Sequence, residues 1–236
     1  MNKEILEENI YYYTDVIADP AKLVEAINKS EDMDLGTAVQ KWTEWMACSG
    51  KEYIYGTHKK VSYADYESLQ GEDFKYAEYI MTTISNAFRD VATDFGASKG
   101  IEGKPNLYID YEIKRYEAGT MMGGHFDSQE GDERLKYSLV LYLNDDYEGG
   151  EISFTIKGYD ALEGDDKPHQ DFDLAKNSDK ISFGLKPKAG SCIIFPSAAP
   201  YHHTAHIIKS GQKYMVPMHW LHDGTSDRIP APENAM

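Results

Sequence analysis

The apolar positions of this 236-residue chain keep two rhythms, and the change between them falls near residue 105. Before it, the clearest repeat is helical. Tyr76, Ile80, Ile84, Phe88 and Val91 recur every three or four positions, which aligns them as one stripe of a helix over residues 72–95. Asp19-Pro20 offers a capping carboxylate followed by proline at the first helical position, so a shorter helix is expected over 21–28. Residues 35–47, with Trp42 and Trp45, are expected to form another helix. The aromatic, β-branched run 9–17 (NIYYYTDVI) reads as a strand.

From Asn106 the period drops to two. Leu107, Ile109, Tyr111 and Ile113 alternate with their neighbours, as in a strand with one face buried. Further strands are expected at 137–143, 151–156, 181–185, 192–195 and 214–221. Turn-forming clusters separate them: Asn144-Asp145-Asp146, Gly149-Gly150, Lys188-Ala189-Gly190 and Ser210-Gly211. This series of short strands predicts an α+β fold, mainly β. A double-sheet jelly roll over 106–222 is buttressed on one sheet by helices from a mainly helical part, 1–105. Residues 158–180 are rich in Asp, Lys and Gly without periodicity and read as a long surface insertion, and 223–236 as a C-terminal tail. No repeat or linker divides the chain, so a single domain is expected over 1–236.

Composition narrows the function classes. Hydrophobic residues at 41% support a sizeable core. Forty Asp and Glu against 24 Lys and Arg leave a net charge of -16. That argues against gripping phosphate backbones, where affinity comes from clustered cations, so nucleic acid is not an expected partner. The same charge keeps a protein soluble and would attract a neutral or basic substrate. Cys48 and Cys192 are far apart, so neither a disulfide framework nor a thiolate zinc site is expected, and both read as buried thiols. The first nine residues lack the basic end and apolar run of a signal peptide. No apolar run approaches the roughly eighteen residues of a membrane span. A cytoplasmic location without membrane insertion is the expectation.

The segment His125-Phe126-Asp127 changes the picture most. Two residues apart on extended chain, its imidazole and carboxylate point to the same face and can share a metal. A second histidine would complete a two-His-one-carboxylate set, which leaves one face of an octahedral metal open and suits Fe(II) oxygenases. His202, His203 and His206 compete for that place. A histidine followed ten residues later by Lys213, across a Ser-Gly turn, fits two adjacent antiparallel strands. They would hold one end of a small dicarboxylate at the metal and its far carboxylate on the ammonium.

In this order the elements resemble the Fe(II)/2-oxoglutarate-dependent dioxygenases, particularly the prolyl 4-hydroxylase-like family. The resemblance runs from about Leu107 to His222. It comprises Arg115-Tyr116, His125-x-Asp127, YLND at 142–145, GGE at 149–151, KPKAGSCIIFP at 186–196, His203, Gly211-x-Lys213 and WLH at 220–222. It implies a double-stranded β-helix core, Fe(II) on His125, Asp127 and His203, and 2-oxoglutarate held at its far carboxylate by Lys213. Tyr116 and Tyr142 would line the cosubstrate pocket. O2 is the implied oxidant, with ascorbate as an accessory reductant. The implied substrate is a prolyl residue in a peptide or protein, hydroxylated with release of succinate and CO2. A free amino acid or another protein side chain is the alternative. A non-catalytic jelly-roll binding module is the alternative of a different class, against which the complete set of site residues stands.

Counting back from the Gly-x-Lys turn selects His203 as the second imidazole ligand. His202 and His206 should then point to the opposite face, as solvated or supporting groups. Arg134, Trp220 and His222 match, approximately, substrate-contacting positions of the family. Tyr116, Tyr142, Arg134 and His222 equally suit ordinary structural or surface roles. The family usually carries its closing Trp six residues after the basic residue, whereas Trp220 lies seven after Lys213. A one-residue bulge at Pro217 would restore the phase, and without it His219 faces the pocket instead. The insertion 158–180, or else the loop 128–136, is expected to close over the substrate.

Overall fold

The structure is a computed structural model, and it describes residues 1–46, 54–62, 69–108, 110–128, 134–155 and 181–223. Its N-terminal part contributes strands β1 (Asn2–Glu7) and β2 (Ile10–Thr14), helix α1 (Pro20–Lys29), strands β3 (Thr43–Met46) and β4 (Ile54–Val61), and helix α2 (Gly71–Ser98). Ten strands follow: β5 (Tyr111–Tyr116), β6 (Met122–His125), β7 (Leu135–Tyr142), β8 (Glu148–Gly149), β9 (Ile152–Phe154), β10 (Phe183–Leu185), β11 (Ser191–Pro196), β12 (His203–Ala205), β13 (Ile208–Ser210) and β14 (Lys213–Leu221). An eight-stranded sheet runs β1-β2-β11-β7-β14-β5-β4-β3, faced by a four-stranded sheet β10-β9-β12-β6, with β8 and β13 paired beside them. This is the jelly-roll arrangement the strand rhythm predicts.

Two of the three expected helices form for the expected reasons. The Asp19 carboxylate accepts from the Lys22 N–H at 3.0 Å, and Pro20 opens α1. In α2 the stripe Ile80, Ile84, Phe88 and Val91 is fully buried, with Tyr76 packed at its edge. The helix lies so close to the large sheet that a Cβ at Gly96 would sit 3.1 Å from the Trp220 ring. Among the described residues no helix is long and apolar enough to cross a membrane.

Three expectations need correction. Residues 35–46 are not helical: Val39 bridges Val61, and Thr43–Met46 is strand β3, paired to β4 from Thr43↔His58. β-favouring Trp and Thr side chains and an available sheet edge outweigh weak helical spacing. Strand β1 was not foreseen because its sequence, NKEILE, shows no alternation. It is an exposed edge strand held by its pairing to β2. The strand foreseen from Leu107 begins only at Tyr111, although Leu107 still bridges Trp220. The N-terminal part thus also supplies four strands, which extend the large sheet at both ends. Residues 158–180, most of 128–136, Cys48 and Ile109 lie outside the described residues, so the two loops foreseen as lids receive no structural account.

The large sheet separates two apolar clusters. On its outer face α1 and α2 pack on Ile113, Leu139, Leu141, Ile194, Val216, Met218 and Trp220. Its inner face, turned to the small sheet, buries Tyr116, Val140, Tyr142, Phe154, Ile193, Phe195 and Met215. Alternation along each central strand sends neighbouring residues to opposite clusters.

Candidate metal centre and cosubstrate pocket

Strands β6 and β12 lie side by side in the small sheet, with His203 directly opposite His125 and their ring centroids 4.3 Å apart. Asp127 follows β6 by two residues, while Phe126 between them turns away to the His202 ring. One ligand atom from each of His125, Asp127 and His203 falls within 4.8 Å of the other two. The Asp127 carboxylate lies 3.5 Å from His125 Nε2 and 3.8 Å from His203 Nε2.

The surroundings orient these groups. His125 Nδ1 donates to the Gly123 carbonyl at 2.8 Å, and His203 Nδ1 donates to the Tyr201 carbonyl at 3.2 Å. A carbonyl only accepts, so each ring presents its lone pair at Nε2, toward the shared space. Phe154 and Phe195 close around the His203 ring. Burial, helped by His125, lowers the His203 pKa to about 4 against the pull of Asp127, so the imidazole is neutral at pH 7. Burial raises the Asp127 carboxyl, but His203, His125 and His219 outweigh it and hold the group well below its ordinary value. Two imidazoles with Nε2 atoms aimed inward, together with a carboxylate, are the donor set a divalent iron accepts.

The competing histidines are placed elsewhere. His202 bonds Thr155 Oγ1 at 2.7 Å and His206 bonds Ser153 Oγ at 2.6 Å, both on the opposite face as expected. Both are buried rather than solvated.

A cavity of about 590 Å³ takes in this trio and runs along the inner face of the large sheet. Strand β14 forms its floor with Lys213, Met215 and His219. The Lys213 ammonium is buried at one end, donating to the Gly150 carbonyl at 2.7 Å. It faces the rings of Tyr142 and Tyr116, at 5.1 and 5.8 Å from their centroids. Both tyrosines line the cavity, as does Trp45, set edge-on to Tyr116 at 5.4 Å. Burial, reinforced by the nearby Lys186, lowers the Lys213 pKa to about 7, with Glu151 opposing. A cation this poorly solvated has the most to gain from a carboxylate partner.

Residues 111–222 match the model of the 2OG-Fe(II) oxygenase superfamily. The chain carries a 2OG-Fe(II) oxygenase domain. Solved structures share its fold at low identity. A prolyl hydroxylase from Trichoplax adhaerens, solved with a hypoxia inducible factor peptide, is 10% identical. It aligns over 90% of this chain and 83% of its own at a TM-score of 0.58. A Pseudomonas putida prolyl-4-hydroxylase is 16% identical over 92% and 94% of the two chains, with a TM-score of 0.53. A non-heme alpha-ketoglutarate-dependent carbocyclase, SnoK from nogalamycin biosynthesis, is 13% identical over 90% and 79%, with a TM-score of 0.55. No curated protein sequence matches the chain. A domain of this superfamily implies Fe(II), 2-oxoglutarate and O2 as its reagents.

Within the oxygenase cavity, the end away from Lys213 differs from expectation. Strand β14 pairs with β7 in unbroken register from Met215↔Tyr142 to Trp220↔Tyr137, so no bulge occurs at Pro217. Trp220 therefore faces outward, 3% exposed in the core against Phe95 and Tyr137, and lies outside the cavity lining. His219 takes the inward position. Its Nδ1 meets Ser138 Oγ at 3.3 Å, Ser138 in turn bonds Ser197, and Tyr108 sets its ring edge-on at 5.8 Å. Six residues of extended strand separate it from Lys213, about 20 Å, far beyond the reach of a five-carbon diacid. Arg134 and Asp110 line the same end. His222 is exposed and lies outside the lining, its carbonyl accepting from Asn106 Nδ2. The count of six from Lys213 was the signal for His219. Nothing in the sequence pointed to Ser138 or Tyr108.

Proposed function

We propose that the enzyme hydroxylates a prolyl residue in a peptide or protein, converting 2-oxoglutarate and O2 to succinate and CO2 as one oxygen atom enters the substrate C–H bond. The observation that carries the reading is one continuous cavity. It begins at Lys213, passes His125, Asp127 and His203, and continues to a separate wall at His219. Its length suits a cosubstrate and a substrate placed end to end. Support for a prolyl substrate comes from the two prolyl hydroxylases of similar fold, while the carbocyclase shows how little fold alone decides.

Iron(II) supplies the oxidising chemistry once bound by His125, Asp127 and His203. The chain's own residues do the positioning. Lys213 pairs with the far carboxylate of 2-oxoglutarate, and Tyr116 and Tyr142 exclude water around that pair. The Gly123 and Tyr201 carbonyls keep both imidazole lone pairs on the metal side. No side chain has to take a proton from the substrate. Ascorbate as accessory reductant and a cytoplasmic setting belong to the same reading.

A second reading, hydroxylation of a free amino acid, is favoured by the polar far wall. Asp110, Arg134, Ser138 and His219 offer both charges and neutral hydrogen bonds. Incubation with Fe(II), 2-oxoglutarate and parallel panels of proline-containing peptides and free amino acids separates the two. An added oxygen mapped by mass to a peptide proline supports the first. Succinate coupled only to a free amino acid overturns it in favour of the second.

A further inference from the structure

The KPK motif at 186–188 has no part in the site described above, yet its first lysine lies next to the cosubstrate end. Lys186 Nζ donates to the Tyr147 carbonyl at 2.9 Å and to the Gly149 carbonyl at 2.5 Å. It also sits 3.4 Å from the centroid of the Tyr147 ring. The carbonyl of the next residue, Gly150, holds the Lys213 ammonium. Lys213 in turn lies 5.9 Å from that Tyr147 ring. Lys213 from strand β14 and Lys186 from the connection after β10 thus grip one short turn and share one aromatic ring.

The turn has little freedom to rearrange. Gly149 and Gly150 both have positive φ, +73° and +66°, and a Cβ on either would collide with residues 207–208 at 2.2–2.4 Å. The Tyr147 hydroxyl is buried with no hydrogen-bond partner among the described residues, so the ring is held chiefly by packing and the two cations. Without Lys186, two carbonyls of the turn would lose their donor, and the carbonyl that aims Lys213 would lose its support. The second ammonium also raises the positive potential where a dianion must arrive.

We infer that Lys186 is a positioning residue for 2-oxoglutarate, acting through the Tyr147–Gly150 turn and Lys213 to favour the distal carboxylate. The inference rests on Lys213 as the cosubstrate anchor. It predicts a selective effect: ligands with a distal carboxylate should feel Lys186, and those without it should not.

The test uses the full-length, Fe(II)-loaded enzyme and follows substrate-free succinate release. In Lys186→Met the KM for 2-oxoglutarate is expected to rise about tenfold with kcat nearly unchanged. Inhibition by 2-oxopentanoate, which keeps the chelating end but lacks the distal carboxylate, should stay the same. Lys186→Arg should restore the wild-type KM. An unchanged 2-oxoglutarate KM in Lys186→Met, or equal weakening of both ligands, overturns the inference. Lys213→Met is measured alongside: a raised KM there with none in Lys186→Met rejects Lys186 alone, whereas no change in Lys213→Met rejects the anchor itself.

Discussion

The two faces of strand β14 are built from alternate residues of one sequence, and they hold opposite chemistry. Outward, Tyr214, Val216, Met218 and Trp220 join an apolar core under α1 and α2. Inward, Lys213, Met215, Pro217 and His219 line a cavity that buries a cation at one end and holds a half-buried histidine at the other. The outward face is stabilised by burying apolar area, at roughly 25 cal/mol per Å². The inward face keeps polar groups away from water, which costs stability until ligands pair with them. Because the period is two, a one-residue slip would exchange the two faces entirely. Unbroken pairing with β7 prevents that slip and decides that histidine, not tryptophan, faces the cavity.

The comparison is broken most severely at the metal donors. Asp127→Ala should leave the outer core intact and remove the metal, lowering succinate release by more than about a hundredfold, since even supporting groups around metal ligands are typically worth 10–100-fold. Metal analysis and circular dichroism on the same sample check both halves of that statement. Wild-type iron content in Asp127→Ala would refute the ligand assignment.

Neighbouring substitutions on β14 should then divide by face. Trp220→Ala opens a hole between α2 and the sheet and should cost about 3–5 kcal/mol in urea unfolding. His219→Ala should cost under about 1 kcal/mol, because its ring is half-buried and held by one long hydrogen bond. Its penalty belongs to substrate affinity instead. Equal stability losses at the two positions would contradict the assignment of faces.

The smallest effect concerns pH. Burial and Lys186 lower Lys213 from 10.5 to about 7, and Glu151 opposes them. A dianion needs the charged form, so the 2-oxoglutarate KM should be flat below pH 7 and rise above it, by at most about tenfold per unit. Stability of the ligand-free protein should move the other way. Between pH 7 and 10.5 the unfolded chain keeps a proton that the folded chain has released, so stability rises with pH across that window. Lys213→Arg should flatten both profiles, and a pH-independent KM in the wild type would speak against the shift.

How far all this was legible in the sequence follows the same division. Long-period patterns survived: the stripe from Tyr76 to Val91 is the buried face of α2, and the Asp19-Pro20 cap opens α1. His125, Asp127 and His203 converge, because residues two apart on an extended chain share a face whatever lies around them. What failed depends on tertiary pairing. Edge strands β1 and β3 are each held by pairing to the next strand in the chain, and neither carries an alternation strong enough to reveal it. The choice between His219 and Trp220 rested on a bulge that no local signal decides. Lys186 sat in a recognised motif, but its meaning depends on a turn some forty residues earlier, between β7 and β9.

The central claim is that metal donors and lysine form one site for one molecule of 2-oxoglutarate. Anaerobic calorimetric titration of 2-oxoglutarate into the Fe(II)-loaded and metal-free protein tests it most directly. One site per chain is expected, binding strongly only with metal and weakened by Lys213→Met. Equal binding with and without metal, or binding untouched by Lys213→Met, would contradict it.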